Sequence, residues 1–499
     1  MASDKNINRR KFIGTAAATA ALSVVPRHVL GGPGHIAPSD KINIGYIGMG
    51  TQGLRELPRL LRDQRVVVTS VCDPNRESTD YVDWSRNGLR NGIRRFLNDQ
   101  SWGAADKGIR AGREVGRQVI ESWYGKNSSS GKYSGCSTFD DYREMLAKEN
   151  GLDGVKIMTP DHLHTSIALA AMEQGLHVTT HKPVSNVMAE ARKVIDTASK
   201  ADVATHLLSW SGYNSMPQIK GWIDSGAIGK LREVHNWINK PIWPQWPASP
   251  KETPPLPDGF DWDLWLGPSQ YRPYHPNYTH AVFRGWYEFG CGILGDMGHY
   301  SLLPLIEVFG LSAPVSVQAN ASQTCQIVDG VSGWQKNDVS FPAASTMRFR
   351  FNQPEMDIFW YDGGIKPRTP KELEADNKEL PHSGMMFVGD NGKIIGDFLG
   401  NSPRIIPASR MSEFAASYTE PTEKPDSDSD WVGAFAGGAP TVGRFDNVGA
   451  IAELVCLGAV ALRAGKRLDW DSANMRITNA AEANTLLHRK YRQGWELDT

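Results

Sequence analysis

Three glycines and one acid carry the first chemistry this chain can do. Gly48, Gly50 and Gly53 follow the apolar run Ile42–Ile47, and Asp73 ends a second apolar run about twenty positions further on. Gly48 permits a tight turn, Gly50 lets the backbone approach a pyrophosphate, and Gly53 lets the next helix pack close to the strand. That helix opens at Thr51 and Gln52, where the first N–H groups lack partners within the helix and can donate to phosphate oxygens. Asp73 can accept from both hydroxyls of an adenosine ribose and would repel a 2′-phosphate, so NAD is favoured over NADP. A second group of reactive types is Asp296, His299 and Tyr300. If this segment opens a helix, Asp296 and Tyr300 (i, i+4) share a face and His299 lies close by; an Asp N-cap with an inward aromatic is the plainer reading.

The elements that must position these groups follow from periodicity. After the fingerprint come an amphipathic segment (Leu54, Leu57, Leu60, Leu61) and the strand Val66–Val71. Residues 77–135 are polar and helical in pattern and end in a Ser/Gly-rich stretch, so they read as a helical insertion with a surface loop. The alternation then resumes with a helix over 139–149, a strand over 153–158, a helix over 163–174, a strand over 177–180, a helix to about 200 and a strand over 204–208. Such alternation specifies an α/β fold with a parallel sheet whose ligands sit at the carboxyl ends of its strands. Thr159, Pro160, His164, His181, Lys182 and Pro183 all fall at or near such ends. Further on, strands are expected over 231–240, 314–322, 344–351, 355–362 and 385–396. Seven prolines make 241–258 a long surface loop, 419–430 reads as an acidic exposed loop, and the tail 450–497 is helical in period. The domain organisation is therefore a leader and linker over 1–35, a dinucleotide domain over 36–212 and an α+β domain over 213–499.

The leader contains Asn8-Arg9-Arg10-Lys11-Phe12-Ile13 ahead of a run of small and apolar residues to Val25, which looks like a twin-arginine export signal. The run is short and rich in Ala and Thr, so no membrane span is expected in the mature protein, which is placed in the periplasm or otherwise outside the cytoplasm. A protein that leaves already folded around a dinucleotide finds no comparable pool outside. The expectation is a tightly held cofactor regenerated within each cycle. The 499 residues, 40% of them hydrophobic, can bury two sizeable cores, and a net charge of −1 gives no case for nucleic acid. Five widely spaced cysteines form no C-x-x-C, and no spacing calls for a metal.

Four stretches together resemble the Gfo/Idh/MocA oxidoreductases: the fingerprint with Asp73; Val155-Lys-Ile-Met-Thr-Pro-Asp-His-Leu-His164; Gly175-Leu-His-Val-Thr-Thr-His-Lys-Pro183; and Gly290-Cys-Gly-Ile-Leu-Gly-Asp-Met-Gly-His-Tyr300. A fifth, Phe359-Trp-Tyr-Asp-Gly-Gly364, is similar to a segment of members that process carbohydrates. The resemblance implies a Rossmann domain followed by a domain built on a large, mostly antiparallel sheet whose open face covers the nicotinamide and binds a sugar or cyclitol. It also implies assembly as a homodimer or homotetramer. Lys182 takes the place of the family's proton relay beside the nicotinamide, and Asp296 and Tyr300 take places beside the reacting carbon, with His299 offset by one. The chain departs from the family at His181, where a glutamate is usual. Lys182 thereby loses a carboxylate neighbour, which should lower its pKa if it is buried; alternatively His181 points at the ribose.

On this reading a base (Lys182, or Tyr300 or His299 relaying to it) takes the proton of a sugar hydroxyl while the carbinol carbon gives up hydride to NAD, with Asp296 orienting the base. Two enzymatic outcomes fit, a sugar or glycoside dehydrogenase and a redox-neutral glycosidase that oxidises, eliminates, adds water and reduces back. A third, non-enzymatic outcome is a sugar-binding protein that keeps NAD as a structural element.

Overall fold

The computed structural model describes residues 36–37, 40–128, 130–209, 215–414 and 430–497; the export motif and nearly all of the 419–430 loop lie outside them. The first sheet collects β1 (Ile42–Ile47), β2 (Val66–Cys72), β3 (Ser137–Phe139), β4 (Gly154–Ile157), β5 (His177–His181) and β6 (Thr205–Leu208) in the order β3-β2-β1-β4-β5-β6. Every pairing in it is parallel. The central strand β1 and its neighbour β2 are largely apolar and mostly buried, as strands covered by helices on both faces are. The covering helices are α1 (Thr51–Leu61), α2 (Gly88–Leu97), α3 (Arg113–Lys126), α4 (Tyr142–Lys148), α5 (His164–Glu173) and α6 (Met188–Lys200). The strand order reverses between β1 and β4, which opens a crevice at their carboxyl ends.

Beyond α7 (Met216–Asp224), β14 (Lys393–Gly396), β15 (Arg404–Ile406), β16 (Leu468–Asp471) and β17 (Arg476–Ile477) flank five central strands in a nine-stranded sheet of order β15-β14-β13-β7-β12-β11-β8-β16-β17. Its central strands are β7 (Leu231–Trp237), β8 (Ser316–Ala321), β11 (Ser345–Asn352), β12 (Glu355–Tyr361) and β13 (Gly384–Gly389). Only β12 and β7 pair in parallel; the other pairs are antiparallel. Strand β11 alternates strictly, with Met347, Phe349 and Phe351 buried and Arg348 and Arg350 exposed, as one packed and one wet face require. The packed face is covered by two apolar helices, α8 (Gly292–Phe309) and α9 (Gly449–Ala464), which also pack on each other. The stretch Phe445–Ala464 is long and apolar enough to cross a membrane, but most of it is buried in this core.

Several expectations are corrected. Phe139 ends a strand rather than opening a helix, because the N-cap is Asp141, whose side chain accepts from the Arg143 N–H. The 385–396 segment is two strands, β13 and β14 (Lys393–Gly396), folded at Asp390-Asn391-Gly392. The tail is α-helical to Ala464 and has a 3-10 helix over Ala481–Leu487. Gly465 caps α9 in the left-handed region, and the chain continues as β16 (Leu468–Asp471), β17 (Arg476–Ile477) and irregular turns. A hairpin of β9 (Thr324–Val328) and β10 (Val331–Gln335), not anticipated, stands apart from both sheets.

Candidate active site

The fingerprint folds as its residue types demand. Gly48 has φ +100°, and a Cβ there would lie 2.5 Å from the Met158 carbonyl carbon; one on Gly53 would lie 2.1 Å from the Gly48 oxygen. A Cβ on Gly50 would meet only the Tyr81 ring at 3.5 Å, so the space above it belongs to the cleft. Gly50 is the N-cap of α1 without a side-chain cap, which leaves the N-terminal donors at Thr51 and Gln52 facing that space. Asp73 lies just past β2. Its Oδ2 accepts from the Met49 N–H at 2.7 Å and its Oδ1 from the Asn75 N–H at 2.8 Å, and burial pushes its carboxyl up. Thr159 and Pro160 line the same cleft from the end of β4. This cradle fits a dinucleotide.

The adenosine end of the cleft is covered from both parts of the chain. The Arg76 N–H donates to the Gly259 oxygen at 2.7 Å, the Asp261 N–H donates to the Pro74 oxygen at 3.0 Å, and the Tyr81 and His280 rings meet at 3.8 Å. Tyr81 belongs to the helical insertion, whereas Gly259, Asp261 and His280 belong to the Trp-rich segment before α8.

The reactive end is built around Lys182. It follows β5, its side chain is 2% exposed, and its ammonium donates to Asp296 Oδ1 at 2.5 Å and to the Asp296 carbonyl. The Lys182–Pro183 peptide is cis. Asp296 is the fifth residue of α8, and Arg284 Nε also reaches its Oδ1, at 3.2 Å. These two cations hold the Asp296 carboxyl well below the usual range despite its burial. Burial lowers the Lys182 pKa, Asp296 opposes that fall and Arg284 adds to it. The Tyr300 ring lies 4.8 Å from Lys182 Nζ, on the face it shares with Asp296.

The histidines are inward. His299 is 0% exposed, with Nδ1 2.8 Å from the Gly295 oxygen, and burial drops its pKa to about 3. Lys182 adds to the lowering, and the His299 Nε2 is buried without a hydrogen-bond partner. His181 is buried with Nδ1 3.2 Å from the Lys182 oxygen, and its pKa is lowered first by burial and then by Lys182. His164 is buried between the Pro183 and Thr159 oxygens, at 2.6 and 3.0 Å, where it ties the two strand-end loops together. The glutamate missing at position 181 does not leave Lys182 without a carboxylate, because α8 supplies Asp296 instead. The groups around Lys182 come from α8 (Asp296, Tyr300), the turn before it (Arg284) and the end of β4 (Asp161), and Lys240, just past β7 of the large sheet, also acts on the Asp296 carboxyl.

Two members of the cluster were not anticipated. Arg284 lies in a short 3-10 segment (His280–Gly285), twelve residues before Asp296. Asp161 follows Pro160, is 6% exposed, and its Oδ2 accepts from the Cys291 N–H at 3.2 Å. Burial raises its carboxyl to about 7, although Arg284 and Lys182 both pull it down. Among the described residues, no group of three or more His, Cys, Asp or Glu side chains is placed to hold a metal, and all five cysteines are free thiols.

Comparison with known proteins agrees with this geometry. The Gfo/Idh/MocA model for an oxidoreductase family's NAD-binding Rossmann fold matches residues 115–208, and the model for that family's C-terminal α/β domain matches 218–398, together more than half of the chain. A glycosyl hydrolase family 109 protein of Shewanella baltica is 26% identical over 243 residues, 45% of this chain and 44% of that one. A levoglucosan dehydrogenase of Pseudarthrobacter phenanthrenivorans is 34% identical over 94 residues, 18% of this chain and 23% of its own. The match spans less than half of each of these curated relatives. The crystal structure of the WlbA dehydrogenase of Chromobacterium violaceum, in complex with NADH and UDP-GlcNAcA, has the same fold: TM-score 0.51 at 15% identity, covering 87% of this chain and 97% of that one.

Proposed function

The chain belongs to the Gfo/Idh/MocA oxidoreductase family, and from that premise we propose that it oxidises a hydroxyl group of a sugar or glycoside with a tightly held NAD. The observation that carries the reading is the Lys182–Asp296 pair, set at the strand ends beside the dinucleotide cleft. NAD, when bound, supplies the hydride acceptor. The chain's own part is the proton. Burial and Arg284 press Lys182 toward the neutral amine, which accepts the hydroxyl proton as the carbinol carbon loses hydride. The ammonium so formed is neutralised by Asp296. Tyr300 walls this position. Tight retention is supported by the double cover over the adenosine end.

A second reading is supported by the family 109 hydrolase, which matches over a longer stretch than the dehydrogenase does. Oxidation at C3 acidifies the C2 proton. The amine, having released the hydroxyl proton to solvent, removes the C2 proton and passes it to the departing glycosidic oxygen, water adds to the resulting double bond, and the carbonyl is reduced back. Export on the twin-arginine signal and assembly as a homodimer or homotetramer belong to the same proposal. Cell fractionation and light scattering check them.

The deciding experiment follows the absorbance and fluorescence of bound nicotinamide in protein purified without added cofactor and mixed with a panel of glycosides. Lasting reduction identifies a dehydrogenase, and a transient signal that decays as reducing sugar appears identifies the glycosidase. No change with any glycoside overturns both enzymatic readings. Nucleotide-free protein that is fully active with added NAD overturns tight retention.

A further inference from the structure

The Trp-rich segment before α8 is a wall with two faces. Its aromatic side chains form a separate small core. Phe260, Trp265 and Phe283 look into the dinucleotide cleft, whereas Tyr278 and Tyr287 look into a different cavity of about 610 Å³ behind it. That volume lies within the usual range for small-molecule sites and is far larger than a single inorganic anion needs. We propose that this second cavity is a binding site for an acidic saccharide.

One face of α9 lines the cavity from its buried end to its mouth, with Cys456, Ala459, Val460 and the exposed Arg463 at i, i+3, i+4 and i+7. The Arg463 guanidinium lies 5.4 Å from the centre of the Tyr287 ring, an arrangement that leaves its planar fork of donors available to a carboxylate or sulfate. Two lysines, Lys251 and Lys490, also line the cavity. Among the described residues, none of these three cations makes a side-chain hydrogen bond or ion pair.

Arg489 binds Glu190 at 2.6 Å and Glu288 is held by Arg272, so these charges are matched. Asp338, which acts on Arg463, and Glu252 are the other carboxylates of the wall, so Arg463, Lys251 and Lys490 leave one positive charge in excess. Burying a ligand against unmatched cations favours an anionic one. The saccharide character comes from the aromatic faces, on which the C–H faces of a pyranose can rest: Tyr287 inside and Tyr271, 68% exposed, at the rim. The site is joined to the catalytic loop. Asn186, four residues after Lys182, donates to the Tyr287 and Glu288 oxygens at 3.4 and 3.0 Å and accepts from Arg489.

The test is calorimetric titration of the NAD-loaded full chain with hyaluronan disaccharide, which carries one glucuronate, and with chitobiose as its neutral counterpart of equal size. Arg463→Gln and Lys490→Gln change side chains at the solvent-facing edge of the cavity, and bound NAD and melting temperature report that each variant is folded. The expected result is binding of the acidic disaccharide that weakens at least tenfold in Arg463→Gln and several-fold in Lys490→Gln, with chitobiose affinity the same in all three proteins. The proposal is overturned if the acidic disaccharide does not bind, if both variants bind it as wild type does, or if chitobiose binding falls equally. It is also overturned if the substitutions alter the oligomeric state, which would make the cavity an interface between copies. None of these outcomes depends on whether NADH is formed.

Discussion

Among the described residues, two lysines are buried beside carboxylates, and only one of them stands at the carboxyl ends of the sheet beside the cleft. Lys156, in the middle of β4, lies 3.7 Å from Glu56 of α1, with the Tyr46 and Trp431 rings 5.7 and 5.8 Å from its ammonium. Lys182, one residue past β5, lies 2.5 Å from Asp296. The first pair lies between sheet and helix, where it lines a separate cavity of about 240 Å³. The second stands at the strand ends and shares its carboxylate with Arg284, while Asp161 nearby is pushed toward its neutral form. Burial alone therefore does not mark a functional lysine. What marks Lys182 is an unbalanced charge set at the open end of the crevice, where a small change in protonation has a reactant to act on.

The largest effect expected from this contrast is on turnover. Lys182→Met should lower the rate of nicotinamide reduction roughly 10²- to 10⁴-fold, as loss of a general base does. It should leave the fold intact, because Asp296 keeps Arg284 as a partner. Single-turnover fluorescence with the best glycoside measures it; a variant within threefold of wild type would remove Lys182 from the chemistry and collapse the distinction between the two lysines.

Lys156→Met should do the reverse. It leaves Glu56, 7% exposed, without its lysine, at a cost of roughly 3 kcal/mol of stability. Turnover per folded molecule should stay near that of wild type. Denaturant unfolding together with the same single-turnover assay separates the two quantities, and Lys156→Met/Glu56→Gln should recover much of the lost stability. A large fall in turnover without loss of stability would show that Lys156 is coupled to the site after all.

The same contrast explains how far sequence reading reached. The fingerprint, Asp73 and the parallel α/β layout were legible because they are local: a glycine that must take φ +100° and strands buried on both faces leave their mark within a few residues. Lys182, Asp296 and Tyr300 were legible only as members of a resembled pattern. Arg284 and Asp161 were not found, because what makes them site residues is convergence on Asp296 and Lys182 from distant parts of the chain. Asp161 did leave a signal, a carboxyl just past a strand end beside Thr159 and Pro160. The β9–β10 hairpin also left one: Asp329-Gly330, both with positive φ, is a two-residue turn between Ile327-Val328 and Val331. For His299, i+3 spacing from Asp296 does not say which way a side chain turns once a helix is buried nearly all round.

Asp161 gives the finest test of the unbalanced site. Its carboxyl is raised to about 7 in the folded protein, whereas in the unfolded chain it titrates near 4. Between those values the native state holds a proton that the unfolded state has lost, so this group's contribution to stability is complete below about pH 4 and declines as pH rises through about 7. Asp161→Asn removes the titration. Relative to wild type, the variant should therefore gain roughly 1–3 kcal/mol between pH 4 and pH 8, read as a diverging pair of melting-temperature profiles. The activity profile carries an independent readout. When Asp161 ionises it places a negative charge near Lys182 and favours the ammonium over the amine, so wild-type kcat/KM should show an inflection near pH 7 that the variant lacks. Parallel stability profiles would mean that Asp161 is already ionised in the folded protein. The cluster would then hold two carboxylates against Lys182 and Arg284, and the excess of positive charge that separates Lys182 from Lys156 would vanish.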